Sequence, residues 1–174
     1  MKVLIVFFSI FIINYSLLIY QDDMNSFNRI QDNIKYVTDE SAAGAALFYD
    51  EEAFSEGYLK SKVVEANKYV KYTMEKAINT LHNMQIINSD YYLYIIDESG
   101  IEYTYKNAGL LSEKSVSFPY YFIVEGNNGI LISNPSVIVM LKLRSKDIFR
   151  LPFLNCEFLS RSSMYEIKCK GNYY

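Results

Sequence analysis

The feature that most constrains this chain is an apolar run near its start, from Val3 to Tyr20. Thirteen of these eighteen residues are Val, Leu, Ile or Phe, and the strongly polar interruption is Asn14. Such a composition favours membrane insertion by roughly 4–8 kcal/mol, against a cost of about 2 kcal/mol for the asparagine. Eighteen helical residues span ~27 Å, close to the thickness of a hydrocarbon core. The sequence therefore predicts a transmembrane anchor over residues 1–20.

A cleaved secretory signal is the alternative interpretation of this run. Lys2 supplies a positive charge before it, but the segment from Leu17 to Asp22 lacks the small residues of a cleavage site. Lys2 precedes the run and two aspartates, Asp22 and Asp23, follow it, which favours a cytoplasmic amino terminus. We expect a single-pass protein of the cell membrane, in contact with lipid and with its C-terminal domain outside.

A second helical pattern continues directly from the anchor and predicts an amphipathic stem helix and loop over residues 21–57. Apolar residues recur on one face at three- and four-residue steps, while the opposite face carries charged side chains from Asp23 to Asp39. The apolar set is Met24, Phe27, Ile30, Ile34, Val37, Ser41, Ala45 and Phe48.

Small and amide side chains mark candidate helix-packing positions. They are Asn14, Ala42, Ala43, Ala45 and Ala46. Small residues allow two backbones to approach closely, and a buried amide can bond a neighbouring transmembrane helix. Two alternatives stay open: Asn14 bonds its own helix, and the alanines pack under an element of their own domain. If the patch joins separate proteins, Ala45→Trp should block association and leave the sheet folded.

Residues 58–174 are predicted to form an extracytoplasmic α+β domain. A helix is expected from Ser61 to Met84, and from Tyr91 the apolar period changes from helical to alternating. Hairpins are expected at residues 97–100 and 127–129, and Val137 to Arg144 should be a strand with one apolar face. We therefore expect a pilin-like α+β fold, with a long stem helix and a second helix packed on an antiparallel sheet.

The two cysteines, Cys156 and Cys169, lie near the C-terminal end of the sequence. A turn at residues 161–164 would place them opposite each other on a hairpin, at the separation of a cross-strand disulfide. An exported location permits such a bond. Two separate buried thiols are the alternative.

No motif for catalysis or cofactor binding is visible in the sequence. His82 is the single histidine, and the carboxylates Asp97 and Glu98 fall in a predicted turn. We expect a non-enzymatic protein without cofactor or metal. The net charge is −3, and acidic and basic residues are interspersed along the sequence, which argues against nucleic-acid binding. The basic residues from Lys142 to Arg150 are expected on a solvated strand face that could also touch anionic headgroups.

The run from Ser16 to Gly57, SLLIYQDDMNSFNRIQDNIKYVTDESAAGAALFYDEEAFSEG, resembles a known family. It is similar to the TadE-like, membrane-anchored pseudopilins of tight-adherence (Tad) and type IV pilus-like clusters in Gram-positive bacteria. The resemblance covers about a third of the chain. It implies an anchor, an alanine-rich helix and an outer domain that assembles with other pilin-like or secretion-assembly membrane proteins, possibly with itself.

Two departures from the pilin pattern refine this expectation. Pilin-like chains carry a glycine before the apolar run, whereas the first glycine of this sequence is Gly44. They also carry a glutamate five residues into the helix, where this sequence has Ile5. The resemblance then implies a minor or accessory component that stays in the membrane. The alternative function is an anchored ligand-binding or sensory domain that uses its tyrosine-rich sheet.

Overall fold

The first 44 residues after Met1 form one uninterrupted helix, α1 (Lys2–Ala45). The computed structural model describes residues 2–81, 85–123, 129–146, 149–150 and 158–167. A short helix α2 (Glu51–Ser55) and a longer helix α3 (Val63–Thr80) follow. Asp50 caps α2 by accepting hydrogen bonds from the N–H groups of Glu52 and Ala53.

The described strands form an antiparallel sheet of five strands and a second sheet of two. Their bounds are β1 (Gln85–Ile96), β2 (Ile101–Lys106), β3 (Gly109–Ser115), β4 (Tyr120–Phe122), β5 (Ile130–Ile132), β6 (Ser136–Lys146) and β7 (Phe158–Glu166). The larger sheet has the order β3-β2-β1-β6-β7, and β4 pairs with β5. The fold is α+β, with a long N-terminal helix, further helices and an antiparallel sheet packed on the helices, as predicted.

The main core lies between the helices and one face of the large sheet. From the sheet it takes alternate residues of β1 and β6, and from α1 and α3 it takes the apolar stripes. Fully buried members include Val70, Met74, Leu93, Ile95, Val137, Val139, Leu141 and Leu143, all with 1% exposure or less. The apolar face predicted for residues 137–144 is confirmed. The stem is part of the folded domain, because Ile34, Ala42 and Ala45 belong to this same core.

The opposite face of the sheet is covered by the small β4–β5 sheet. Ile96, Ile138 and Met140 of the large sheet pack there against Phe122 and Ile132. The domain therefore has three layers, with helices on one side, the five-stranded sheet in the middle and the small sheet outside.

Several predicted elements differ from the structure. Residues 161–164 form no turn, because they lie in the middle of β7, which pairs along its length with β6. The hairpin that would place Cys156 opposite Cys169 is therefore wrong; both cysteines lie outside the described residues, as does His82. Strand β3 was not predicted. The second helix ends at Thr80 rather than Met84.

Candidate functional site: the projecting stem and its junction with the domain

The first half of α1 projects from the domain without burying its side chains. Its most apolar window is long enough to cross a membrane, and none of that window is buried. Large side chains such as Phe7, Phe11 and Leu18 expose more than half of their surface. At about 1.5 Å per residue, α1 extends ~66 Å in total. This half of the helix is compatible with a single-pass membrane anchor.

Asn14 bonds its own helix. Its side-chain Nδ2 donates to the backbone carbonyl of Ile10 at 2.8 Å, one turn earlier. This hydrogen bond lowers the cost of placing the amide in an apolar environment. No contact from Asn14 to a second helix is part of the described structure.

The small-residue patch is packed within the domain. Ala42 and Ala45 are 1% and 2% exposed and belong to the main core, and Ala46 joins them at 8%. Ala43 is half-buried. The patch thus lies against this chain's own α3 and sheet, which was the alternative to a contact between proteins.

Gly44 shows why this part of α1 is made of small residues. A Cβ atom added at Gly44 would lie 2.3 Å from Cε1 of Tyr69 on α3. The Tyr69 ring is itself held beside Phe48, with ring centroids 5.5 Å apart. The backbone of α1 therefore contacts an aromatic ring directly, at a distance that a side chain would prevent.

The junction between anchor and domain is an ion pair cluster. The backbone N–H and the Nε of Arg150 donate to the carboxylate of Asp23 at 2.9 and 2.6 Å, and Arg150 also bonds Asp22. The hydrogen bond to Asp23, followed by that to Asp22, raises the pKa of Arg150. Asp23, which the sequence placed on the charged face of the stem opposite the apolar stripe, is buried by this contact and is 5% exposed. Its partner lies 127 positions away, beyond the reach of helical periodicity.

Basic side chains of β6 and β2 lie over aromatic rings on the outer face of the sheet. Lys142 and Lys106 place their Nζ atoms 5.1 and 5.5 Å from the centre of the Tyr92 ring, and Arg144 lies 5.3 Å from that of Phe158. Such contacts stabilise a cation over an aromatic face. Of the basic residues predicted on a solvated strand face, Lys142 and Arg144 thus lie over aromatic rings. The placement of Arg150 on that face is wrong, since it lies beyond β6 and pairs with Asp22 and Asp23.

A cleft of about 650 Å³ opens beside the β1–β2 turn, at the end of the domain far from the anchor. Tyr58, Lys60 and Tyr103 line it together with the turn residues Asp97 and Glu98. Asp97 Oδ1 accepts from Ser99 Oγ and from the N–H of Ile101, and Glu98 accepts from the N–H of Leu59 at 2.6 Å. Burial, then the nearby Asp97, raises the pKa of Tyr103. Both carboxylates hold backbone in place, as their turn position suggested.

The described ranges contain no cluster of three His, Cys, Asp or Glu side chains that could hold a metal ion. Comparison of the chain with protein-family models, with curated proteins and with solved structures found no match in any of the three.

Proposed function

We propose that this chain is a non-enzymatic, membrane-anchored assembly component of the pseudopilin type. The observation that carries the proposal is the continuity of α1, whose apolar window has no buried residue while its second half is built into the domain core. A helix without a break at Asp22 and Asp23 holds the domain in a defined orientation above the anchor. That arrangement suits a protein that positions an outer domain beside partners in the same membrane.

The junction supports the same interpretation. Arg150, which follows β6 in the sequence, binds α1 immediately after the apolar run, through Asp22 and Asp23. This contact opposes bending of the helix where it leaves the membrane. In the proposed orientation the amino terminus is cytoplasmic and the domain is outside, with membrane lipid around residues 3–20.

Gentle solubilisation of the full-length protein, followed by identification of its bound partners by mass spectrometry, tests the proposal. Recovery of pilin-like subunits or a secretion complex supports it. Recovery of the protein alone, with its anchor intact, contradicts it. Asn14→Leu is a matched control: because Asn14 bonds its own helix, this variant should recover the same partners.

A second candidate function is ligand binding in the cleft beside the β1–β2 turn. The observation that favours it is the apolar and aromatic lining by Tyr58, Ile101 and Tyr103, next to the cationic Lys60. A screen of small aromatic compounds by thermal shift, with Tyr103→Ala as the control variant, tests this function. A ligand that raises the melting temperature of the Tyr103→Ala variant as much as that of the unmodified protein does not bind in the cleft.

A further inference from the structure

The cleft beside the β1–β2 turn has walls from two separate segments, which hydrogen bonds hold together. Leu59, which follows α2, donates its backbone N–H to Oε2 of Glu98 at 2.6 Å, and the N–H of Glu98 donates to the carbonyl of Leu59 at 3.4 Å. The carbonyl of Lys60 accepts in turn from the N–H of Asp50, the cap of α2, at 2.8 Å. The cleft is therefore preformed, as sites for small molecules usually are.

The size and lining of the cleft suit a small organic molecule. Its volume of about 650 Å³ lies within the range of small-molecule sites. Tyr58, Ile101 and Tyr103 line it, and Tyr58 leaves 55% of its surface exposed. These three side chains offer a ligand two aromatic rings and one aliphatic group.

Asp97 brings a buried carboxylate to the same cleft. The residue is 3% exposed, and its Oδ1 accepts from Ser99 Oγ at 2.5 Å and from the N–H of Ile101 at 3.1 Å. Its Oδ2 accepts no hydrogen bond from any residue in the described ranges, although Asp97 lines the cleft. Each oxygen of a carboxylate can accept more than one hydrogen bond, and a charged donor makes the strongest. Asp97 Oδ2 is thus an acceptor available to a ligand.

The charges around the cleft favour a cationic ligand. Asp97 and Glu98 line it against one ammonium group, that of Lys60. Lys60 is exposed, so water screens its charge, whereas Asp97 is held in a buried position where charges interact more strongly. Glu113 lies opposite Tyr103 on β3, and it contributes, after burial and Asp97, to the raised pKa of Tyr103. The space beside Tyr103 therefore has a negative potential.

We propose that this cleft binds a small organic cation, a primary ammonium group carried on an apolar body. The ammonium donates to Oδ2 of Asp97, and the apolar body packs against Ile101 and the rings of Tyr58 and Tyr103. An ammonium near the face of a tyrosine ring gains a further electrostatic attraction. This inference rests on the second proposed function, ligand binding in the cleft, and names the class of the ligand.

Isothermal titration calorimetry of the full-length protein in detergent tests the inference with three probes of similar shape. Phenethylamine is the cation, phenethyl alcohol is its neutral counterpart and hydrocinnamate is the anion. Titration of each probe into detergent alone corrects for its partition into micelles. We expect phenethylamine to bind at least about tenfold more tightly than either of the others, the usual gain from a hydrogen bond between charged groups.

Asp97→Asn tests the role of the buried carboxylate. The variant removes the charge but keeps an Oδ1 acceptor for Ser99 and Ile101, so the turn is preserved. It should weaken the binding of phenethylamine about tenfold and leave that of phenethyl alcohol unchanged. Asp32→Asn is the matched control, because Asp32 is exposed on α1 and does not line the cleft. It should bind phenethylamine as the unmodified protein does.

Two results overturn the inference. One is equal or tighter binding of phenethyl alcohol or hydrocinnamate, and the other is an unchanged affinity for phenethylamine in Asp97→Asn. If the binding observed is lost in Tyr103→Ala, ligand binding in the cleft survives and only the preference for a cation fails. The absence of binding by all three probes also overturns the inference; the ligand-binding function fails with it only when the broader screen finds no compound whose effect depends on Tyr103.

Discussion

At the scale of single residues, the tight turn between β2 and β3 stores strain at Ala108. Asn107 and Ala108 have φ angles of 48° and 67°, in the left-handed region. Asparagine tolerates this region, and its Oδ1 also accepts a hydrogen bond from the N–H of Tyr91 at 2.9 Å. Alanine has no such hydrogen bond, and in the left-handed region its Cβ atom crowds the following carbonyl oxygen, which costs about 1–2 kcal/mol of conformational free energy.

Ala108→Gly should therefore stabilise the protein. The relief of strain exceeds the entropy that glycine adds to the unfolded chain, so we expect the free energy of unfolding to rise by about 0.5–1 kcal/mol. Asn67 keeps its hydrogen bond, because its acceptor is the backbone carbonyl of residue 108. Thermal unfolding by circular dichroism measures the change. Ala43→Gly, inside α1, is the control and should instead lower the free energy of unfolding by about 1 kcal/mol. A lower free energy of unfolding in both variants would refute the strain argument.

Asp90 makes the stability contributed by the same turn depend on pH. Asn107 Nδ2 donates to its carboxylate at 2.9 Å and Lys106 lies 3.1 Å away, so the hydrogen bond and the cation lower the pKa of Asp90. A carboxyl group with a lowered pKa in the folded state stabilises the protein above its unfolded pKa, near 3.9. This contribution is lost as the pH falls through the folded pKa.

Asp90→Asn should lower the free energy of unfolding by about 0.5–1 kcal/mol at pH 7, the usual size for a partly exposed charged contact. The difference from the unmodified protein should shrink as the pH falls below 4 and vanish once Asp90 is protonated. Chemical denaturation at a series of pH values between 2.5 and 7 measures it. A difference that stays constant over this range would show that the charge contributes nothing.

At the scale of elements, the contact between α1 and α3 explains the small-residue patch. Ala45 is 2% exposed within the main core, and Gly44 leaves no room for a side chain beside Tyr69. The sequence alone suggested that Ala45→Trp would block association and leave the sheet folded. The burial of Ala45 implies a different outcome.

Ala45→Trp should destabilise the domain itself by about 1–3 kcal/mol or more, because the indole cannot enter a filled core without displacing its neighbours. Leu47→Trp is the matched control, since Leu47 is 71% exposed and should tolerate the ring with little change. Urea denaturation of both variants makes the comparison. Equal stability of the two variants would mean that α1 and α3 are not packed in this way.

Alternation of apolar residues was enough to locate β2, β6 and the second half of β1 from Tyr91, because each has a face in the core, but β1 begins six residues earlier, at Gln85. Strand β3 escaped notice because its seven residues are exposed on both faces and show no period. In β7 the polar run Arg161, Ser162 and Ser163 looked like a turn, but pairing with β6 supplies the backbone hydrogen bonds that outweigh local preference. The partner of Asp23 could not be foreseen, since nothing local to α1 indicates Arg150.

At the scale of the whole molecule, α1 has two halves with separate roles. Residues 3–20 bury nothing inside the domain, whereas the core begins on α1 at Phe27 and continues through Ile34 to Ala45. The ion pairs of Asp22 and Asp23 with Arg150 lie between these halves. The stability of the domain should therefore be indifferent to the first half and dependent on the second.

Removal of residues 1–20 should give a soluble, folded fragment, because residues 21–174 keep every described core side chain. Removal of residues 1–57 should instead abolish folding, although it spares the whole sheet. That deletion uncovers the faces of β6 and β7 on which α1 lies and removes Phe27, Ile34 and Val37 from the core. Burial of Ile34 contributes roughly 1.5–3 kcal/mol and that of the half-buried Phe27 and Val37 less, while a domain has only about 5–15 kcal/mol of net stability. Circular dichroism and proteolysis of both fragments distinguish the outcomes; a stable fragment 58–174 would mean that the stem only rests on a domain that folds without it.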